Sequence, residues 1–197
     1  LGLAPFDLKA GMTILPHLFQ NEIRLEDFLS DKLLLGITFF EMRDDLLTYA
    51  QIERLIKEVP HSRLLYSFRT KDHASARAEW FEDIRFDWDI SLGACPYGKP
   101  YIASLHKRID EPIEELGESL TAYAADNFKL AVPVETWTDL WAGHRWFLED
   151  TERRSFLPMS KDGRWAWYRQ LFGDQMKANF VRHNRGSAPD QPRLFDW

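Results

Sequence analysis

Short apolar segments alternate along the chain with longer segments in which apolar residues recur at helical spacing. In residues 49–59 the apolar positions follow the i, i+3, i+4, i+7 pattern of an amphipathic helix, and Pro60 ends that helix. The apolar segments, such as residues 34–42, are short and apolar at consecutive positions, which is typical of strands buried on both faces. This alternation indicates an α/β fold with a parallel sheet.

Seven predicted strands and one further candidate suit a (β/α)8 TIM-barrel-like fold, although periodicity alone leaves a doubly wound sheet open. The predicted strands span residues 34–42, 63–68, 86–92, 101–105, 127–132, 155–159 and 177–181, with a further candidate at 12–15. The predicted helices span residues 49–59, 74–83, 112–124, 135–149 and 165–172, and residues 93–99 are predicted as a turn. A complete barrel has about 250 residues. Because this chain has 197, we expect shortened or missing outer helices.

The composition is that of an ordinary globular protein and predicts a single domain over residues 1–197. Hydrophobic residues make up 45% of the chain. The formal net charge is −6, which disfavours sequence-independent binding to nucleic acid because that binding needs clustered, uncompensated basic residues.

The sequence lacks the patterns that indicate a membrane span, a signal peptide, a disulfide or a metal site. The apolar segments are far shorter than the roughly 20 residues that span a bilayer, and the first residues show no signal-peptide pattern. Cys95 is the only cysteine, so no internal disulfide can form, which predicts a cytoplasmic protein. No CxxC or HxxxH pair is present, and we expect no metal and no cofactor.

Polar residues gather where the predicted strands end, which is where parallel α/β folds build their sites. His106, Arg43 and Arg69 follow such strands, and Lys129 lies within another. Each has an ordinary structural explanation, such as a rim lysine, a hydrogen-bonded histidine or a surface ion pair. Together they indicate chemistry: a desolvated lysine is a neutral nucleophile, a histidine moves protons, and arginines bind an anion.

These strand ends carry short motifs in chain order: Glu41-Met42-Arg43-Asp44-Asp45, Phe68-Arg69-Thr70-Lys71, Ser104-Leu105-His106, Lys129-Leu130-Ala131-Val132, Met159-Ser160-Lys161-Asp162-Gly163 and Ser187-Ala188-Pro189-Asp190-Gln191. They resemble the motifs of type I 3-dehydroquinate dehydratase, the Schiff-base enzyme of the shikimate pathway. In that family the last motif is Ser-Ala-Pro-Gly-Gln. Arg169 stands where a substrate-binding arginine follows, and Phe180 resembles a phenylalanine of the last strand.

The resemblance implies a lyase that converts 3-dehydroquinate into 3-dehydroshikimate and water. Lys129 would form an imine with the ketone of this small anionic substrate, and His106 would be the general acid and base. The remaining implied substrate-binding residues are Glu41, Arg43, Arg69, Met159, Arg169, Phe180, Ser187 and Gln191. The last two would belong to a lid at residues 183–192, where Gly186, Pro189 and Pro192 lie among polar residues.

The chain departs from the family pattern beside the catalytic pair. The glutamate that partners the histidine in the family is replaced by His73, with Asp72 as a candidate substitute. The family's Asp-x-Glu strand corresponds either to Asp87-Trp88-Asp89 or to Asp89-Ile90-Ser91. These departures favour a second hypothesis, a catalytically impaired protein that binds a small anion or a protein partner. A third is a different imine-forming lyase for a related cyclic keto acid.

We also expect a homodimer, with no nucleic-acid or membrane partner. Missing helices would expose apolar flanks of the barrel, and a partner subunit would cover them. Trp137, Trp141, Trp146, Trp165 and Trp167 lie in predicted helices, and their spacing predicts that most of them pack in the core.

Overall fold

Eight short parallel strands form one sheet in the computed structural model, which describes residues 10–19, 37–71, 76–106, 111–182 and 185–194. The strands are β1 (Ala10–Thr13), β2 (Phe39–Arg43), β3 (Leu64–Phe68), β4 (Arg85–Asp89), β5 (Ile102–Leu105), β6 (Asn127–Leu130), β7 (Arg154–Phe156) and β8 (Asn179–Val181). All the predicted strands are present, including the candidate at 12–15, with bounds that differ by a few residues.

The strand order shows a barrel. Neighbours run β7-β6-β5-β4-β3-β2-β1-β8, so the last strand returns to pair with the first. The described part of the chain has no ladder between β7 and β8, but the backbone N–H of Ala178 donates to Ser155 Oγ at 2.8 Å across this seam. The strands therefore form a nearly closed (β/α)8 barrel. This confirms the TIM-barrel-like prediction over the doubly wound alternative.

In the part of the chain that the structure describes, the strands are flanked by four α-helices: α1 (Tyr49–Glu58), α2 (Ile113–Thr121), α3 (Trp137–Leu148) and α4 (Ala166–Phe172). Thr48 and Thr136 begin α1 and α3 with capping boxes, in which the threonine and the residue three positions on bond each other's backbone N–H. None of these helices is long and apolar enough to cross a membrane.

The connections on either side of β4 are short, and here two predictions were wrong. The helix predicted at 74–83 is a five-residue 3-10 helix, Ala78–Glu82. The strand predicted at 86–92 ends at Asp89, because the Asp89 carboxylate accepts from the Ser91 N–H and begins the 3-10 helix Ile90–Leu92. Asp72 and His73, and part of the predicted lid (residues 183–184), lie outside the described residues.

Aromatic side chains from these short connections cover the outer face of β3 and β4. Phe68 of β3 stacks on Tyr97, with ring centroids 5.1 Å apart, and contacts Phe81 at 5.4 Å. Trp88 and Phe86 of β4 join the same buried cluster. The expectation that missing helices leave this apolar flank exposed was therefore wrong, because aromatic rings take the place of the helices.

Candidate active site

The carboxyl ends of the strands surround a cavity of about 200 Å³. Every site residue singled out from the sequence lines it: Glu41, Arg43, Arg69, His106, Lys129, Met159, Arg169, Phe180, Ser187 and Gln191. Ala131, Leu157 and Ala188 also line it. Ala131 and Ala188 belong to two of the sequence motifs, but no role was predicted for any of the three. The volume lies below the roughly 300–1,000 Å³ of drug-sized sites, so it suits a small metabolite.

Lys129 of β6 reaches into the cavity from the barrel wall. Its side chain is 2% exposed, and its ammonium contacts Asp87 Oδ2, with Glu41 Oε1 at 3.8 Å and the Phe180 ring centroid at 4.6 Å. Burial lowers the pKa of Lys129, and the nearby Arg69 acts in the same direction, while the carboxylates of Asp87 and Glu41 oppose the shift. Lys129 is therefore a buried, desolvated lysine at the wall of the cavity.

Glu41 of β2 is the buried acceptor in the floor of the cavity. It accepts from Thr13 Oγ1 and Ser67 Oγ, each at 2.7 Å, and from Arg69 Nη2 at 3.3 Å. Burial alone would raise its pKa, but the positive charges of Lys129, Arg69 and Arg43 together lower it to about 2. Glu41 is therefore an ionised acceptor that can take a hydrogen bond from a hydroxyl group in the cavity.

Asp87 accepts hydrogen bonds from two buried cations, Arg69 and Lys129. Its Oδ2 accepts from Arg69 Nη2 at 2.6 Å and from Lys129, and its side chain is fully buried. The positive charges of Arg69 and Lys129 hold the pKa of Asp87 well below its usual range, against the opposing effect of burial. Arg43, closer to solvent, makes a bidentate pair with Asp45 at 2.7 and 2.9 Å.

His106 follows β5 and pairs with Asp89 of β4. Its Nδ1 lies 2.9 Å from Asp89 Oδ2. Burial lowers the pKa of His106 to about 4, although the hydrogen bond to Asp89 acts to raise it. A neutral ring beside an ionised carboxylate carries its proton on Nδ1, which leaves the lone pair on Nε2. This is the arrangement of a general base.

Asp89 is the site residue that sequence reasoning left undecided. Asp87 and Asp89 stand at alternate positions of β4 and both face the barrel interior, whereas Ile90 and Ser91 lie in the following 3-10 helix. The register Asp87-Trp88-Asp89 is therefore the correct one. The period of two in a strand places both carboxylates on the inner face once the strand is known to continue to Asp89.

Arg169 of α4 is a buried guanidinium whose hydrogen-bond partners in the described residues are neutral. Its Nε and Nη2 donate to Asn179 Oδ1 at 3.3 and 3.2 Å, and Nη2 also donates to the Phe180 carbonyl at 2.9 Å. Burial lowers the pKa of Arg169 to about 10. A buried cation that borders a cavity and has only neutral hydrogen-bond partners is favourably placed to bind an anion.

Ser187 and Gln191 close the mouth of the cavity from the segment that follows β8. Gln191 Oε1 accepts from the Ser187 N–H, and Gln191 Nε2 donates to Ser187 Oγ, both at 2.9 Å. Arg182 Nε donates to the Gln191 carbonyl at 3.0 Å and ties this segment to the end of β8. The two side chains are therefore held in one arrangement beside Met159 and Phe180.

Several solved structures are similar to this chain, and two of them match almost its whole length. A type I 3-dehydroquinate dehydratase of Clostridium difficile, solved with covalent modified comenic acid, is 16% identical with a TM-score of 0.69, and the match covers 96% of this chain and 89% of that one. A 3-dehydroquinate dehydratase of Geobacillus kaustophilus is 16% identical with a TM-score of 0.68, covering 96% and 88%. These similarities establish the fold.

The resemblance to type I 3-dehydroquinate dehydratases that the motifs indicate is thus confirmed at the level of the fold. The sequence itself matches no protein-family model and no curated protein. Among the residues that the structure describes, no group of His, Cys, Asp or Glu side chains is arranged to hold a metal ion.

Proposed function

We propose that this protein is a type I 3-dehydroquinate dehydratase-like lyase that works through a Schiff base on Lys129. The observation that carries the proposal is one small cavity in which a buried lysine with a lowered pKa, a histidine paired with a carboxylate and a buried arginine come together. Imine chemistry needs each of these three groups: a neutral amine, a proton carrier and an anchor for the anionic substrate.

The proposed reaction begins when the neutral amine of Lys129 adds to the C3 ketone of 3-dehydroquinate. A proton that His106 relays from solvent lets the C3 oxygen leave as water and forms an iminium ion, and the final hydrolysis returns this proton to solvent. His106 Nε2 then accepts the C2 proton, and the electron pair of that C–H bond moves into the iminium to give an enamine. The pair returns as the C1–O bond breaks, and His106 gives its proton to the departing hydroxide, which leaves as water. A second water hydrolyses the iminium and releases 3-dehydroshikimate.

The other residues have roles that follow from their partners. Arg169 would bind the substrate carboxylate, with Ser187 and Gln191 beside it. The floor formed by Glu41, Arg43 and Arg69 would bind the ring hydroxyls. The apolar walls of the cavity, Met159 and Phe180, would exclude water and keep the amine of Lys129 neutral.

Borohydride reduction in the presence of 3-dehydroquinate tests the proposal. A covalent adduct detected by intact mass and mapped to Lys129, together with formation of 3-dehydroshikimate measured by absorbance, is the expected result. Lys129→Ala should lose both, whereas Lys99→Ala, which removes an exposed lysine paired with Asp126, should keep both. If no adduct forms and Lys129→Ala binds 3-dehydroquinate as well as the parent, the Schiff-base proposal is wrong.

A second candidate function is binding of a small anion without turnover. The direct contact between Lys129 and Asp87 favours it, because a carboxylate stabilises the protonated, non-nucleophilic form of the amine. Calorimetric binding of 3-dehydroquinate that depends on Arg169, with neither adduct nor product, would identify this function.

For the assembly, we propose a homodimer that buries an aromatic face formed by Trp137, Trp141, Trp167 and Leu171. These side chains are 69%, 61%, 43% and 62% exposed. Of the five tryptophans in the predicted helices, Trp146 and Trp165 alone are buried. The prediction that most of these tryptophans pack in the core was therefore wrong. The exposed apolar area is on the order of 500 Å², the size of the largest apolar patch of a typical monomer, and such a patch often marks an interaction site.

A second copy of the chain fits this face because two such faces related by a two-fold axis would bury on the order of 1,000 Å², the lower limit for a specific interface. Interface cores are also rich in tryptophan and poor in charge. Light scattering should give a dimer for the parent and a monomer for Trp141→Glu, while Lys57→Glu on the exposed side of α1 should remain a dimer. A parent that is monomeric at all concentrations would overturn this assembly.

The cytoplasmic location predicted from the single cysteine stays a prediction.

A further inference from the structure

Asp190 is a fully buried carboxylate in a segment that also holds several exposed residues. Its side chain is 0% exposed, whereas Ser187, Pro189 and Arg193 on either side are exposed. Buried carboxylates need hydrogen-bond donors to offset the loss of water, so its position indicates a specific structural role. The family motif that this segment resembles has glycine at the same place, so the side chain is a feature of this sequence.

Among the described residues, the donors to Asp190 come from the segment that joins β7 to α4. Asp190 Oδ1 accepts from Ser160 Oγ and from the Trp165 N–H, each at 2.8 Å, and Oδ2 accepts from the Ser160 N–H. Gly163, with a φ of +77°, lets the turn between these two donors approach the Pro189 carbonyl closely. Asp190 therefore fastens residues 185–194 to the segment 160–165.

The elements that Asp190 connects both border the cavity. Segment 160–165 directly follows Met159 and leads into α4, which carries Arg169. On the other side, Asp190 immediately precedes Gln191, whose side chain fixes Ser187 through two hydrogen bonds. Arg182 ties residues 185–194 to β8, and the Asp190 carboxylate ties them to the segment that connects Met159 to the helix of Arg169.

We propose that Asp190 is a positioning residue that holds residues 185–194 closed over the cavity before any ligand enters. Ser187 and Gln191 are then already ordered at the mouth of the cavity. The entropic cost of ordering these two side chains therefore does not reduce the affinity for a ligand that contacts them. Entry of the ligand requires the hydrogen bonds of Asp190 to break and form again. Only the part of the proposal that concerns substrate affinity rests on the proposed lyase function.

Hydrogen exchange on the ligand-free protein tests the closed position without any assumption about activity. The amides of Ser160 and Trp165 donate to Asp190, so both should be protected in the parent and should exchange on the order of a hundredfold faster in Asp190→Ala. Asp174→Asn, which removes an exposed carboxylate from the 3-10 helix after α4, should leave both amides protected. Exchange in Asp190→Ala within threefold of the parent would overturn the proposal.

A second pair of variants keeps the test decisive if Asp190→Ala fails to fold. Asp190→Asn retains the shape of the side chain, and Ser160→Ala removes one donor from the opposite side. Because both act on the same contact, their effects on exchange should be strongly non-additive in the double variant. Fully additive effects would show that the two residues do not act together and would contradict the proposal.

Steady-state kinetics with 3-dehydroquinate separate positioning from a merely structural role. Asp190→Asn should raise KM by about tenfold, since two side chains must now be ordered on binding, and should leave kcat within twofold. An unchanged KM together with faster exchange would show that Asp190 holds the segment without positioning Ser187 and Gln191. A parent that shows no turnover refutes the lyase proposal but leaves the exchange result to decide the position of the segment.

Discussion

The pairing of His106 with Asp89 gives the sharpest prediction about the proposed chemistry. Asp89→Asn keeps the size of the side chain and removes its charge. In the parent, the charge of Asp89 and its 2.9 Å hydrogen bond stabilise the protonated ring, which acts to raise the pKa of His106 against the effect of burial. The variant should therefore lower that pKa below its present value of about 4.

The magnitude follows from the type of hydrogen bond that is lost. A bond between the histidine ring and a carboxylate contributes about 1.5–3 kcal/mol, and replacing the carboxylate by an amide loses much of this contribution. The protonated ring that forms when His106 accepts the substrate proton is destabilised by a similar amount. We expect kcat to fall by roughly ten- to a hundredfold at neutral pH. KM should change little, because Asp89 does not line the cavity.

The pH profile decides whether the loss acts through His106. A base must be neutral to accept a proton, so the acidic limb of the activity of the parent rises with pH through the pKa of His106. In Asp89→Asn this rise should move to lower pH, and NMR titration of the His106 ring should show the same shift without turnover. Asp83→Asn, which removes a carboxylate near His61 on the surface, is the matched control and should change nothing. An unmoved acidic limb, or one that moves to higher pH, refutes the reasoning.

Three further predictions concern the anion site, the buried floor and the outer packing. Arg169→Lys should raise KM for 3-dehydroquinate on the order of thirtyfold, because it loses about 2 kcal/mol of paired hydrogen bonds; an unchanged KM would place the carboxylate elsewhere. Glu41 has a depressed pKa, so its contribution to stability is present above pH 4.5 and lost as pH falls towards about 2. In urea unfolding, the advantage of the parent over Glu41→Gln should shrink through that range, and a constant advantage would contradict the assignment. Gly143→Ala would bring a Cβ to 2.1 Å from the Phe156 ring, so we expect a loss of about 1–3 kcal/mol and a lower Tm by circular dichroism, whereas an unchanged Tm would show that the ring moves freely.

The sequence predicted the barrel because its strands are buried on both faces and therefore stand out as short apolar segments. Helix α1 was equally clear, since its apolar residues have helical spacing and Pro60 ends it. The connection before β4 was misread, because Ala78–Glu82 has the composition of a helix but forms only a 3-10 turn. Its length is set by where Trp80 and Phe81 pack against the sheet, which local periodicity does not encode.

The site was predictable to the extent that it lies on consecutive strand ends. The carboxyl ends of parallel strands lie together at one mouth of a barrel, so Lys129, His106 and Arg69 could be placed near one another from their positions in or just after the predicted strands. The partners of these residues were harder to predict. Asp87 and Asp89 required the register of β4, and the contacts of Asp190 join two segments that lie far apart in the chain.

The short connections around β4 leave the proposed chemistry intact because other contacts hold the strand ends in place. Outside the barrel, the stacked rings of Phe68 and Tyr97 cover the strands where an outer helix would otherwise pack. Inside, the Asp44 carboxylate accepts from the backbone N–H of Arg69 at 2.7 Å, which fixes the end of β3 beside that of β2. Helices in a barrel chiefly cover the apolar outer face of the sheet, whereas the site is built from inward-facing side chains and their hydrogen bonds. Loss of a helix is therefore compatible with an intact site wherever apolar side chains of a shorter connection cover the same strands.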